Sequence, residues 1–144
     1  MENEPQNQCD PSPGANPPVQ LHAKPYKVKG TIEWGLGYGK DPAPGSRQEV
    51  DLPNRSGEHR IVVHLVGGPT GVKFDIKDPI WVCDTGTCPP PEGSKSAQIA
   101  VDCCSDFKLT LIDKNKGDPC VLTYQLNFIG AEPLDPMIRN GGSV

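Results

Sequence analysis

The chain has 144 residues, a formal net charge of −4 and a sequence pI near 5.3, with 17 prolines and 16 glycines. That length fits one domain of ordinary size, and so much backbone punctuation suits short strands joined by turns rather than long helices. The mild acidity leaves no electrostatic footprint for nucleic acid or an anionic membrane, and no apolar run approaches the ~20 residues that span a bilayer.

The large apolar residues are unevenly spread. Residues 58–130 hold 21 of the 31 Leu, Ile, Val and Phe residues, mostly alternating with polar ones. Alternation of this kind predicts half-buried β-strands, one face on a core and one in water.

In chain order, residues 1–25 carry six prolines among Gln, Asn, Glu, Ser and Gly and are read as a disordered, proline-rich arm. A first strand is expected from Lys27, with Val28, Ile32 and Trp34 on one face. Gly35 to Gly45 reads as a loop, Gln48–Leu52 as a short strand, and Pro53 to Gly57 as a turn. His59–Val66 is apolar on both faces, which predicts a central, doubly covered strand or a subunit contact. Val72, Phe74 and Ile76 are expected to point inward, followed by an Asp78-Pro79 corner and a strand at Ile80–Cys83. The loop Asp84–Ser94 contains three successive prolines, and Ala97, Ile99 and Val101 alternate after it. Phe107, Leu109 and Leu111 form one inward row, and Cys120, Leu122, Tyr124, Leu126 and Phe128 another. The polar segment Lys114 to Asp118 is read as the hairpin connection between these two rows.

About eight short strands at this spacing predict an all-β fold, specifically an antiparallel two-sheet β-sandwich of immunoglobulin-like type. The arm then covers 1–25, the sandwich domain 26–130, and a loosely attached C-terminal tail 131–144.

Chemistry is harder to find. Gly35-x-Gly37-x-Gly39-Lys40 has the look of a phosphate loop, but Asp41-Pro42-Ala43-Pro44 cannot open the helix such a loop needs, so a plain loop is expected. The cysteines are Cys9, Cys83, Cys88, Cys103, Cys104 and Cys120. Cys83, Cys88, Cys103 and Cys104 are the candidate thiol site, for a metal or a redox switch, although the spacing matches zinc knuckles poorly. A Cys83–Cys88 bridge is the alternative in an oxidising environment. Cys103 and Cys120 fall on the apolar phase, so buried thiols are expected there, whereas Cys104 falls on the opposite phase and is expected to be the reactive one.

No nucleophile–base pair or paired carboxylates stand out, so no catalytic residue, cofactor or resident metal is expected. His59 and His64 point to opposite faces of one strand, and His22 falls in the arm. His64, on a partly polar face, and Trp81, beside the cysteine loop, are the candidate interaction surface. Trp34 shares the apolar phase and is expected in the core. Asn54-Arg55-Ser56 is a glycosylation sequon. The amino terminus lacks the basic and apolar regions of a secretory signal, which suggests the cytoplasm. The expected function is a soluble, non-enzymatic module that binds a protein partner or forms a homo-oligomer, without nucleic acid or membrane. A cysteine-based metal or redox protein is the alternative.

Overall fold

The computed structural model describes residues 16–53, 57–67, 71–85 and 89–141. Among them lie eleven strands and no helix. The strands are β1 (Val19–Val28), β2 (Thr31–Gly37), β3 (Val50–Leu52), β4 (His59–Leu65), β5 (Lys73–Phe74), β6 (Ile80–Cys83), β7 (Ile99–Cys104), β8 (Lys108–Asp113), β9 (Cys120–Leu126), β10 (Phe128–Ile129) and β11 (Met137–Asn140). They form a five-stranded sheet in the order β2-β1-β4-β8-β7, a four-stranded sheet β3-β11-β9-β6 and a two-stranded sheet β10-β5. None of these closes into a barrel.

β4 is central, as its sequence predicts, flanked by β1 and β8. Ile61, Val63 and Leu65 enter the core, and on the opposite phase Val62 is also fully buried, beside its cross-strand partner Thr110. One hydrophobic cluster draws on all three sheets, with Leu21, Ile61, Leu109 and Leu111 from the first, Leu122, Tyr124, Leu126 and Ile138 from the second and Phe74 from the third. Trp34 is buried there, its ring 4.2 Å from that of Phe128, which in turn lies 5.0 Å from Phe74.

Several expectations need correction. The sheets are not purely antiparallel, since β1 runs parallel to β4 and β3 parallel to β11. Between β1 and β4 the chain makes β2 and then crosses to β3 in the other sheet; a parallel neighbour requires a crossover of this kind. The strand expected from Lys27 is broken by the turn of the β1–β2 hairpin: Lys27 and Val28 end β1, while Ile32 and Trp34 lie on β2. Lys29 and Gly30 both take positive φ (50° and 85°), the backbone that tight hairpin turns demand.

The supposed arm also contributes structure, because β1 starts at Val19. Leu21, Ala23 and Pro25 are buried while His22, Lys24 and Tyr26 alternate with them. Pro25 is tolerated beyond Ala23, the last residue of β1 paired with β4, where only β2 remains alongside. At the other end, the expected tail supplies β11, which sits between β3 and β9.

Lys114 to Asp118 is not a hairpin. β8 belongs to the five-stranded sheet and β9 to the four-stranded one. Their alternation correctly marks the buried faces, but both rows meet the same core from different sheets. Ile76 (50% exposed) and Phe107 (58%) are not inward, since β5 ends at Phe74 and β8 begins only at Lys108. Val101 shares the face of its partner Leu111, yet at the sheet edge it stays 44% exposed.

A buried polar knot ties the sheets together at the end of β8. Asp113 accepts a hydrogen bond from the Asn140 side chain on β11 (2.8 Å) and another from the Asn115 backbone (3.0 Å). The Asn115 amide in turn donates to the carbonyls of Pro53 (3.2 Å) and Gly57 (3.1 Å). All three side chains are buried.

Candidate functional site

The outer face of the five-stranded sheet holds the best-defined polar site. On β1 the phase that buries Leu21 and Ala23 turns Gln20 and His22 outward. On β4 the phase that buries Ile61, Val63 and Leu65 does the same for His64. Parallel pairing sets His22 directly beside His64, and their rings stack with centroids 4.9 Å apart and planes 17° from parallel. His64 Nε2 lies 2.7 Å from Gln20 Oε1, and His22 Nδ1 lies 3.0 Å from the Tyr38 carbonyl oxygen. Lys40 arrives from the β2–β3 connection, and with Val66 these residues line a groove of about 560 Å³. Burial holds the His64 pKa below the usual histidine value, helped by the positive charges of His22, Lys108 and Lys40.

His64 therefore stands in a polar site, as its phase suggested, but its partner is His22, which the sequence reading left in the arm. The signal that would have found it is the period-two run Leu21, Ala23, Pro25 against His22, Lys24, Tyr26. The other expected member of the surface, Trp81, lies on β6 in the four-stranded sheet. Its indole N–H donates to Asp78 Oδ2 at 2.7 Å; this bond, ahead of the Lys95 contact, holds the Asp78 carboxyl below its ordinary pKa. The two candidates belong to different sheets.

The glycine loop has a packing role. The Leu36 N–H donates to the Ser46 carbonyl (3.0 Å) and the Gln48 N–H to the Leu36 carbonyl (3.1 Å) as residues 43–48 fold back along β2. A Cβ at Gly35 would collide with the Ala43 carbonyl, so the glycine admits that backbone.

The candidate thiols differ in bonding state. Cys83, Cys104 and Cys120 carry thiols, while Cys103 is disulfide-bonded. Cys88 lies outside the described residues, as does the sequon at Asn54. A β-bulge between Val101 and Cys103 reverses the expected phases of the neighbouring cysteines. Beyond it Cys104 pairs with Leu109 and packs against the core, and Cys103 pairs with Thr110. Burial, with Asp106 and Asp75 adding to it, pushes the Cys104 thiol up to about 11, which disfavours the reactive thiolate at the cysteine expected to be reactive. Cys120, likewise, has a pKa raised by burial first. Among the described residues no group of three or more His, Cys, Asp and Glu is placed to hold a metal ion.

A second feature lies at the β5–β10 end. Ile76 and Ile129 are about half exposed and flank a depression of about 230 Å³, together with Lys73, Asp75, Lys77 and Asp106. Phe107, the most exposed large apolar residue among the described ones, follows Asp106 in the chain.

No protein-family model matches this chain, and a search of curated proteins finds no significant match.

Proposed function

We propose that the chain is a non-enzymatic, immunoglobulin-like β-sandwich that associates with a second copy of itself through the β5–β10 end. The sandwich reading is supported by the shared hydrophobic cluster, into which β4, β8 and β9 all send buried side chains. The parallel β1–β4 and β3–β11 pairs distinguish it from a purely antiparallel sandwich.

The observation that carries self-association is the pairing of Ile76 (50% exposed) and Ile129 (49%) across one depression, with exposed Phe107 (58%) next in the chain to the lining residue Asp106. Single exposed apolar side chains are ordinary, whereas grouped ones mark docking surfaces. Lys73 and Lys77 there are balanced by Asp75 and Asp106. A twofold contact presents a patch to its own copy, so a patch of both signs can satisfy itself where a single-sign patch would repel. Sedimentation velocity over a wide concentration range tests this. A monomer–dimer equilibrium is expected, moved toward monomer by Ile76→Asp and by Ile129→Asp. A profile that stays monomeric at the highest concentration, or a dimer indifferent to both substitutions, overturns the proposal.

One observation favours a thiol-based role as the second reading: Cys104 keeps its thiol next to a disulfide-bonded Cys103. That reading requires Cys104→Ser to change metal content or redox response, and the raised Cys104 pKa leads us to expect neither. The Cys103 disulfide also bears on location. Such bonds persist in oxidising compartments, so it supports one of these over the cytoplasm.

A further inference from the structure

We propose that the groove between His22, His64 and Lys40 binds a small oxyanion, a phosphate or carboxylate group, and takes up a proton with it. The case begins with charge. The chain as a whole carries −4, yet the described residues lining this groove are Gln20, His22, Lys40, His64 and Val66, with no carboxylate among them. Lys108, from β8, adds its positive potential at His64. Asp41, the acid next to Lys40 in the chain, is held by Lys24 at 2.6 Å. Lys40 itself makes no ion pair among the described residues. A volume of about 560 Å³ leaves room for an oxyanion and part of the molecule that bears it.

Nitrogen accounting supplies the donors. The Tyr38 carbonyl can only accept, so His22 carries a proton on Nδ1, and Gln20 Oε1 sets the His64 proton on Nε2 in the same way. Each ring retains one nitrogen that neither of these bonds uses. A proton added there turns it into a charge-assisted donor, the kind that binds oxyanions well. The neighbouring His22 ring, its centroid 4.9 Å away, opposes a charged His64 when no ligand is present. An anion in the groove removes that penalty, so anion and proton binding reinforce each other. A transition-metal ion would also favour imidazoles. The Lys40 and Lys108 charges oppose one, and no third ligating side chain completes a set among the described residues.

The test follows the imidazole resonances of His22 and His64 by NMR while inorganic phosphate is added at constant ionic strength, with chloride as the control salt and acetate as a parallel arm. Saturable shifts are expected for both rings, with the His64 titration midpoint moving to higher pH. Affinity should fall at least roughly tenfold between about pH 6 and about pH 8, across the histidine range. Lys40→Ala, an exposed loop change, should weaken binding at the lower pH by roughly tenfold, the scale of one charged hydrogen bond. A response to acetate as well as phosphate identifies a general oxyanion site; a response to phosphate alone identifies a phosphate site. Shifts that chloride reproduces, that Lys40→Ala and His64→Gln leave unchanged, or that appear with Ni²⁺ and not with phosphate, overturn the proposal. The Ile129→Asp variant should bind phosphate normally, which separates this site from the dimer contact.

Discussion

The histidine groove and the Asp113 knot put similar chemistry to opposite uses. Both are polar, titratable clusters that join elements distant in sequence. In the groove, His22 and His64 each spend one nitrogen on a local bond, which leaves the other outside these bonds. In the knot, one Asp113 oxygen accepts from Asn140 and Asn115, while the other is buried without a partner among the described residues. Water reaches the first cluster and not the second. Burial therefore decides whether such groups are available to a ligand or committed to holding two sheets together.

The largest effects should come from the apolar core on which both clusters rest. Leu109→Ala in the five-stranded sheet and Leu126→Ala in the four-stranded sheet each remove a fully buried side chain. Each is expected to cost on the order of 2–5 kcal/mol in denaturant unfolding. Phe74→Ala, in the two-stranded sheet, belongs in the same class. A near-neutral Leu126→Ala would mean that the four-stranded sheet is not part of the same cooperative body, and the knot would then have little to join.

The next effect in size is electrostatic. Burial raises the Asp113 carboxyl from 3.8 to about 6 against the opposing bonds from Asn140 and Asn115. A carboxyl raised on folding binds its proton more readily in the native state. Its charged form therefore costs stability above the folded value, and the cost is relieved as pH falls from about 6 toward the unfolded value. A rise of that size corresponds to at most about 3 kcal/mol. Asp113→Asn keeps an acceptor for both bonds and removes the titration. Wild type should gain stability relative to this variant as pH drops from about 7 to about 4. His59, whose pKa burial lowers, pulls the other way in both proteins and cancels in the difference. Parallel pH profiles for the two proteins would show that Asp113 is not buried as a titrating group.

The parts of this arrangement legible in the sequence were those governed by side-chain phase. β4 could be recognised as central because Val62 is apolar on the phase opposite Ile61 and Val63, and Trp34 as core because it shares its phase with Ile32. Phase says which face is buried and nothing about which strand lies alongside. That is why the Leu109 and Leu126 rows could be mistaken for one hairpin when they belong to two sheets. It also fails silently at a bulge: Asp102, the extra residue in β7, exchanged the expected roles of Cys103 and Cys104. β1 was missed for a different reason. With Val19, Leu21, Ala23 and Pro25 on its inward phase, and only Leu21 a large, fully buried side chain, it has little hydrophobicity of its own and depends on β2 and β4 for its shape. His22 went unplaced along with it. The knot was invisible because Asp113 and Asn140 meet only once the five-stranded and four-stranded sheets are assembled.

The smallest expected effects separate the two clusters most sharply. His64→Gln removes the stack on His22 and the 2.7 Å bond to Gln20, both on the outer face of the sheet. Water can replace that bond on the Gln20 side, and no cavity opens in the core. The change should stay within about ±0.5 kcal/mol, as should Lys73→Ala. A loss from His64→Gln as large as that from Asp113→Asn would make the histidine pair a second structural tie. A neutral substitution that abolishes phosphate binding would instead show that the pair is held at the surface for a ligand and contributes little to the fold.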